Sequence, residues 1–141
     1  MNASRVATLY ARIALGMAFL SAVAARFGLW MDRGPRPFAE FVRYTAEVNS
    51  FLPASLAPLL AVCATLCEAT LGILLIAGIR PRWTARASAA LLATFGTAMA
   101  ISFGIKSTLD ASVLSASACA LLLAVASDAT TPDSRRVSPA E

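Results

Sequence analysis

The sequence predicts an all-α integral membrane protein, a four-helix bundle with an amphipathic helix at the membrane interface between the first and second spans. Of its 141 residues, 58% are hydrophobic and 14% are charged, whereas an ordinary soluble domain carries about a quarter charged residues. The apolar residues also form runs close to the length of about 20 residues that a helix needs to cross a bilayer. The alternation of apolar and polar residues that is typical of strands is not found.

Four spans follow one another along a single membrane domain, residues 1–127. The first span, residues 6–25, ends at Arg26. The small residues at 21–25 resemble a signal-peptidase cleavage site, so the first span could instead be a cleaved signal peptide. The apolar run is long for a signal peptide, however, and Arg12 interrupts it. The second span is residues 58–79, the third 85–105 and the fourth 111–127. Residues 128–141 are polar and are predicted to form a disordered tail.

The connection between the first two spans predicts an interfacial helix over about 37–52. Its apolar residues recur at helical spacing, and its charged residues fall on the opposite face. The apolar set is Phe38, Phe41, Val42, Thr45, Val48 and Leu52, and the charged set is Glu40, Arg43 and Glu47. Such a helix lies in the headgroup region with its apolar face towards the hydrocarbon. A solvated loop with chance periodicity is the alternative.

The charges that flank the spans favour one orientation in the membrane. With four spans both termini lie on one side, and cytoplasmic loops carry an excess of Lys and Arg. The side of the termini holds Arg5, Arg80, Arg82, Arg86, Arg135 and Arg136, and the other side holds Arg26, Arg33, Arg36, Arg43 and Lys106. The sequence therefore predicts a multi-pass protein of the bacterial cytoplasmic (inner) membrane with cytoplasmic termini.

One carboxylate, Glu68, lies in the middle of the second span. Charged groups at this depth cost a few kcal/mol, face the bundle interior and find a partner. The first span runs antiparallel to the second, and the membrane depth of Arg12 differs from that of Glu68 by about one helical turn. A long arginine side chain can bridge that distance, so an Arg12–Glu68 ion pair is predicted. The pair is interpreted either as a proton or ligand site or as a structural bridge that fixes helix register. Both interpretations remain open.

Other chemistry is sparse in the chain. Cys63 and Cys67 are four residues apart beside Glu68, with Cys119 on the fourth span, and we interpret all three as small buried apolar residues. The spacing is not that of a redox C-x-x-C pair, and no metal site is predicted. The chain has no histidine, which excludes histidine-ligated haem within it. A net charge of +4 is explained by arginines at the membrane surface, so no nucleic-acid partner is expected.

The segment 106–110 between the third and fourth spans is a second polar feature. Ser107 and Asp110 have the capping-box spacing that marks a helix start, and Lys106 is placed to pair with Asp110. The functional alternative is a polar mouth on the outer face, to which Arg26 would also belong.

Three stretches of the chain resemble the DoxX family of small four-helix membrane proteins. They are "RIALGMAFLSAVAARFG" at 12–28, "FAEFVRYTAEVNSFLP" at 38–53 and "EATLGILLIAGIRPRWTARAS" at 68–88. The family pattern maps onto Arg12, Gly16, Glu68, Gly72, Gly78 and Arg82. Arg26 departs from it, since family members usually carry a lysine there.

The resemblance implies a membrane subunit of a quinone-linked oxidoreductase complex, with quinone as cofactor and a redox partner protein. In that role Glu68, Arg12, Tyr10 and Phe19 would form the ligand and proton site. A small proton-coupled transporter and a non-catalytic membrane scaffold for a partner protein are the alternatives. Homo-oligomers are compatible with each of the three.

Overall fold

The computed structural model describes residues 3–30 and 37–129, and these residues form helices joined by short turns. There is no strand in either range, which confirms the all-α prediction for the described part of the chain. The helices are α1 (Ala3–Arg26), α2 (Pro37–Val48), α3 (Ala57–Ala77), α4 (Pro81–Phe103), α5 (Ile105–Asp110) and α6 (Val113–Ala129), with a 3-10 turn at Ala54–Leu56.

Three of these helices are long and apolar enough to cross a membrane. They are α1, α4, and α3 together with the 3-10 turn that precedes it, Ala54–Ala77. Large apolar side chains such as Met17, Leu66, Ile101 and Leu122 are exposed on the outside of the bundle, as expected for surfaces that face lipid. These features confirm the membrane class. α6 is also apolar but shorter, so its crossing stays a prediction.

Prolines and positive-φ residues set where the long helices begin and end. Pro58 lies in the first turn of α3 and Pro81 in the first turn of α4, where the missing N–H costs no hydrogen bond. Gly78 caps the C-terminus of α3 with φ 71°, a left-handed conformation that favours glycine. Arg80 also has a positive φ, 44°, and completes the tight turn into α4.

The segment 106–110 differs from its prediction. It is not a capped turn but lies within α5, so the capping-box interpretation of Ser107 and Asp110 is wrong. Gly104, with φ 84°, ends α4, and an ion pair four residues apart, Lys106 Nζ to Asp110 Oδ2 at 2.6 Å, supports one further helical turn. α6 then continues to Ala129, into the predicted tail, while residues 130–141 lie outside the described part of the chain.

Two helix pairs make the main contacts of the bundle. α1 packs on α3, and α4 packs on α6. Ser117 on α6 donates a hydrogen bond to the Ala89 carbonyl of α4 at 2.9 Å. The buried core runs through both pairs and comprises Leu15, Phe19, Leu75, Ala85, Ala89, Leu92, Ala120, Leu123 and Ala124.

Two glycines set the register of α1 on α3. A Cβ atom on Gly16 would lie 2.9 Å from the Gly72 carbonyl oxygen, and one on Gly72 would lie 3.1 Å from the Gly16 carbonyl oxygen. The two backbones are thus nearly in contact, as small residues allow in membrane helices.

α3 and α4 contact each other much less than either contacts its main partner. α2 contacts α3 and α4, with Thr45 and Val48 buried. Ser102 on α4 donates a hydrogen bond to the Val48 carbonyl at the end of α2, at 2.6 Å. The space between α2, α3 and α4 forms a pocket.

Candidate functional site

Glu68 forms an ion pair with Arg26, the last residue of α1. Arg26 Nη2 donates a hydrogen bond to Glu68 Oε1 at 2.9 Å and lies 2.8 Å from Oε2. The two side chains are 10% and 4% exposed, respectively. The pair is therefore removed from solvent on both sides, and its attraction is less screened than that of a surface pair.

The predicted Arg12–Glu68 pair is wrong. The guanidinium of Arg12 lies against Gly78 at the end of α3, where a Cβ on that glycine would be 2.6 Å from Nη1. Gly78 is ten residues from Glu68, or about 15 Å along a helix. The glycine contact between α1 and α3 fixes this register, and the apolar runs of the sequence do not reveal it.

The direction of helical side chains also favours Arg26 over Arg12. A side chain in an α-helix leans towards the N-terminus of its own helix. Arg26 lies beyond the level of Glu68 along α1, so its side chain leans back towards the carboxylate. Arg12 lies before that level, so its side chain leans away.

Two groups besides Glu68 contact the Arg26 guanidinium, one on α3 and one on α2. Thr65, one turn before Glu68, accepts a hydrogen bond from Arg26 Nη1 at 3.0 Å and donates one to the Ala61 carbonyl at 2.8 Å. The ring of Phe41 on α2 lies with its centroid 3.7 Å from Arg26 Cζ, a cation–π geometry. Helix α2 is thereby joined to the ion pair of α1 and α3.

Arg26 contacts both oxygens of the Glu68 carboxylate. Nη2 donates a hydrogen bond to Oε1 at 2.9 Å and lies 2.8 Å from Oε2, which is buried. A guanidinium this close to both oxygens makes a strong, charge-assisted contact.

The ion pair lies in the wall of the pocket between α2, α3 and α4. The pocket has a volume of about 370 Å³, within the range of small-molecule sites. Its lining is mostly apolar and includes Phe41, Tyr44 and Val48 of α2, Leu60, Cys63, Ala64 and Cys67 of α3, and Leu91, Phe95, Ala98 and Met99 of α4. Burial, and then the nearby Glu47 carboxylate, raise the pKa of Tyr44, so its hydroxyl stays protonated at neutral pH.

The other candidate residues lie apart from this pocket. Tyr10 is 75% exposed on the outside of α1, and Phe19 is buried in the core between helices. Neither of them, nor Arg12, lines the pocket. Lys106 and Asp110 pair with each other on exposed α5, so Arg26 does not share a polar mouth with them.

The cysteines are placed differently from their interpretation as buried residues. Cys63 and Cys67 are exposed, and Cys119 is half-buried. The first two line the pocket beside Glu68. Across the ranges that the structure describes, no three His, Cys, Asp or Glu side chains lie together as metal ligands.

The fold and the site define a small helical membrane protein with a buried ion pair in the wall of an apolar pocket. Residues 4–112 match the family model of the methylamine utilisation protein MauE. The match covers more than half of the chain, which therefore belongs to the MauE family. No curated protein and no solved structure matches the chain significantly.

The MauE match overturns the resemblance to the DoxX family. Two of the residues that carried the resemblance, Gly16 and Gly72, form the close contact between α1 and α3. A third, Gly78, ends α3 in a left-handed conformation. Such glycines serve helix packing and helix ends in any small membrane bundle, so the pattern reflects packing and does not identify the family.

Proposed function

We propose that this protein is an integral membrane component of a methylamine utilisation system and that its pocket binds a lipophilic small molecule. Membership of the MauE family supports the first part. The pocket between α2, α3 and α4 supports the second, because its volume suits a small ligand and its lining is mostly apolar.

The observation that carries this proposal is the position of the Arg26–Glu68 pair. Burying an ion pair requires desolvation of both groups, and apolar packing of the same volume is often as stable. Ionisable residues inside membrane proteins commonly mark ligand or proton pathways. Here the pair borders an open pocket instead of lying within the packed core.

A quinone-type molecule is the ligand that we favour. Such a ligand combines a ring that bears oxygens with an apolar tail, and the pocket combines one ion pair with apolar walls. This chemistry corresponds to the membrane subunit of a quinone-linked redox complex that works with a partner protein. The proposed site residues are Glu68 and Arg26, with Thr65 and Phe41 holding the guanidinium.

Proton-coupled transport is the second candidate. It requires Glu68 to release and regain a proton during each cycle, and the buried carboxylate would suit that step. The Arg26 guanidinium disfavours it, because Nη2 at 2.8 Å stabilises the charged carboxylate throughout. A scaffold without a ligand would leave the pocket unused.

The proposed topology has four spans in one membrane domain, residues 1–127, with α6 as the fourth. α2 lies at the interface, since it buries Thr45 and Val48 and exposes Glu40, Arg43 and Glu47. The arginines that flank the spans favour cytoplasmic termini, and we place the protein in the bacterial inner membrane as part of the same proposal. Labelling of single cysteines from either side of the membrane tests this orientation.

Mass spectrometry of the gently solubilised protein tests the ligand site. The parent should retain a lipophilic molecule, and Glu68→Gln should lose it. Asp110→Asn makes the same carboxylate-to-amide change outside the pocket and should retain it. Ala64→Leu fills the pocket without altering a charge and should also lose the ligand, which separates loss of space from loss of the carboxylate.

Two results would contradict the proposal. The first is a folded parent that carries no lipophilic molecule and takes up none from added lipid extract. The second is an Ala64→Leu variant that retains as much of the lipophilic molecule as the unsubstituted protein, because filling the pocket would then have no effect on binding. Growth on methylamine of a host that lacks its own MauE protein, with and without this chain, tests the place of the protein in that system.

A further inference from the structure

We propose that Arg12 and Arg80 bind the phosphate of an anionic phospholipid at the end of the bundle where α3 turns into α4. The turn, residues 78–80, brings an arginine of α1 and the arginine that precedes α4 to one place at the surface of the membrane. This site is separate from the pocket between α2, α3 and α4, and it does not depend on the ligand proposed for that pocket.

The first argument is the depth of the Arg12 guanidinium. Arg12 belongs to the apolar helix α1, but its guanidinium lies against Gly78, where a Cβ atom would be 2.6 Å from Nη1. Gly78 directly follows the apolar stretch Ala54–Ala77, which is long enough to span the membrane. The charge therefore lies at the end of a span, the level at which long basic side chains reach lipid head groups.

The second argument is that Arg12 has no hydrogen-bond or ion-pair partner within the ranges 3–30 and 37–129. Its Nε is buried, whereas Nη1 and Nη2 are not among the buried atoms that lack a partner. The end of α3 does not supply one, because the carbonyls of Leu74 and Leu75 already accept hydrogen bonds from N–H groups of the turn. The two terminal nitrogens are thus open to an acceptor from outside the bundle.

The third argument is a second arginine beside the first. Arg80 is exposed and follows Gly78 by two residues, so the two Cα atoms lie within about 7 Å of each other. The described carboxylates of α2 and α5 lie at the opposite end of the bundle, by the last residues of α4. Two guanidinium groups without a described acidic neighbour attract an anion, and their planar forks match the oxygens of a phosphate.

Trp83 places this end of the bundle at the level of the head groups. Its ring is exposed in the first turn of α4, and tryptophan is enriched at that level of membranes. The Cζ atoms of Arg82 and Arg86 lie 5.5 and 5.3 Å from the centroid of the ring. Because Arg82 and Arg86 already have contacts within the chain, they add positive charge around the site and are not assigned to the phosphate.

Apolar surface next to Arg12 favours a lipid over a soluble phosphate. Met17 of α1 and Ile73 and Ile76 of α3 are exposed, and Ile76 lies against Gly16, one turn after Arg12. These positions lie between the arginine and the middle of the span, where the acyl chains of a lipid bound by its phosphate run. A soluble phosphate has no group that uses this surface.

Native mass spectrometry of the detergent-solubilised protein tests the site. Phosphatidylglycerol and phosphatidylcholine with identical acyl chains are titrated separately, because both carry a phosphate but only the first has a net negative charge. The first molecule of phosphatidylglycerol should bind roughly 25-fold more tightly, from about fivefold for each of two arginines. Inorganic phosphate in large excess should not displace it, since the acyl chains also contribute to binding.

Variants assign this preference to the two arginines. Arg12→Gln and Arg80→Gln should each weaken the binding of phosphatidylglycerol about fivefold and leave that of phosphatidylcholine unchanged. Arg5→Gln is the matched control, because it removes an arginine from the same end of α1, about 10 Å from Arg12 along the helix. It should change the affinity less than about twofold, since that distance is about one Debye length. If Arg12→Gln does not fold, Arg80→Gln on the exposed turn makes the same comparison.

Three results would overturn the proposal. Equal affinity for the two lipids would mean that the negative charge is not recognised. Equal losses in Arg5→Gln, Arg12→Gln and Arg80→Gln would mean that the total charge of this end attracts lipid without a defined site. Displacement of the lipid by inorganic phosphate would identify a soluble phosphate as the ligand. None of these results bears on the pocket, because neither Arg12 nor Arg80 lines it.

Discussion

Neutralising Glu68 should destabilise the folded protein through Arg26. Glu68→Gln keeps the volume of the side chain and an oxygen for Nη2, so the main loss is the negative charge beside a guanidinium that is nearly buried. Breaking a buried pair from one side costs about 3–5 kcal/mol. We expect about 3 kcal/mol, because the Thr65 hydroxyl and the Phe41 ring remain on the guanidinium.

A double-mutant cycle measures the pair itself. The free energy of unfolding in mixed detergent micelles, followed by far-UV circular dichroism, is compared for Arg26→Gln, Glu68→Gln and the double variant. The double variant should be more stable than the sum of the single changes predicts, with a coupling of about 2 kcal/mol, because it leaves no unpaired charge. The matched cycle of Arg12→Gln with Glu68→Gln should show almost none, since the Arg12 guanidinium lies against Gly78, about 15 Å along α3 from Glu68.

The two cycles can refute this reasoning. A coupling between Arg12 and Glu68 that equals or exceeds the one between Arg26 and Glu68 would mean that the register of α1 on α3 is different. Additive effects of Arg26→Gln and Glu68→Gln would mean that the pair contributes nothing beyond its separate groups.

Three further changes test the packing around the site, each by thermal unfolding in detergent. Gly16→Ala should cost about 1–3 kcal/mol, because its Cβ would lie 2.9 Å from a backbone oxygen of α3, whereas Ala18→Leu on the exposed face of α1 should change little. Thr65→Val should cost about 1 kcal/mol, since it removes the hydroxyl bound to the arginine of the ion pair. Gly78→Ala should cost about 1–2 kcal/mol for its positive φ, and Arg12→Ala should recover part of the loss by removing the guanidinium that the new Cβ meets. Equal melting of Gly16→Ala and Ala18→Leu, or no recovery by Arg12→Ala, would contradict the corresponding contact.

The membrane class and the approximate positions of the helices are readable from composition and spacing. Long apolar runs dictate helices in a membrane because every backbone polar group there needs a partner within its own segment. Glu68 is likewise recognisable from the sequence, since an isolated charge in such a run must face the interior of the bundle. The helical form of α5 was not anticipated, because a short polar segment can form a turn or one helical turn with equal ease.

The partner of Glu68 depends on tertiary structure. The depth estimate from the sequence points to Arg12 and assigns Arg26 to the end of the first span; the contact of Gly16 with Gly72 sets the levels of both arginines relative to Glu68. Arg12 and Arg26 are separated by about 21 Å along α1, and Glu68 lies at a level between them, so the direction in which each side chain leans decides which one reaches the carboxylate. Depths counted from the ends of apolar runs do not include this direction.

Composition and spacing are enough to predict an all-helical membrane protein with a carboxylate in its second long helix. The pairing of Arg26 with that carboxylate, the ring of Phe41 on the guanidinium, and the positions of Tyr10, Phe19 and Arg12 outside the site follow from how the helices pack. The physical reason is that helix formation in lipid follows from local composition, whereas a pocket arises from the angles and registers at which separate helices pack.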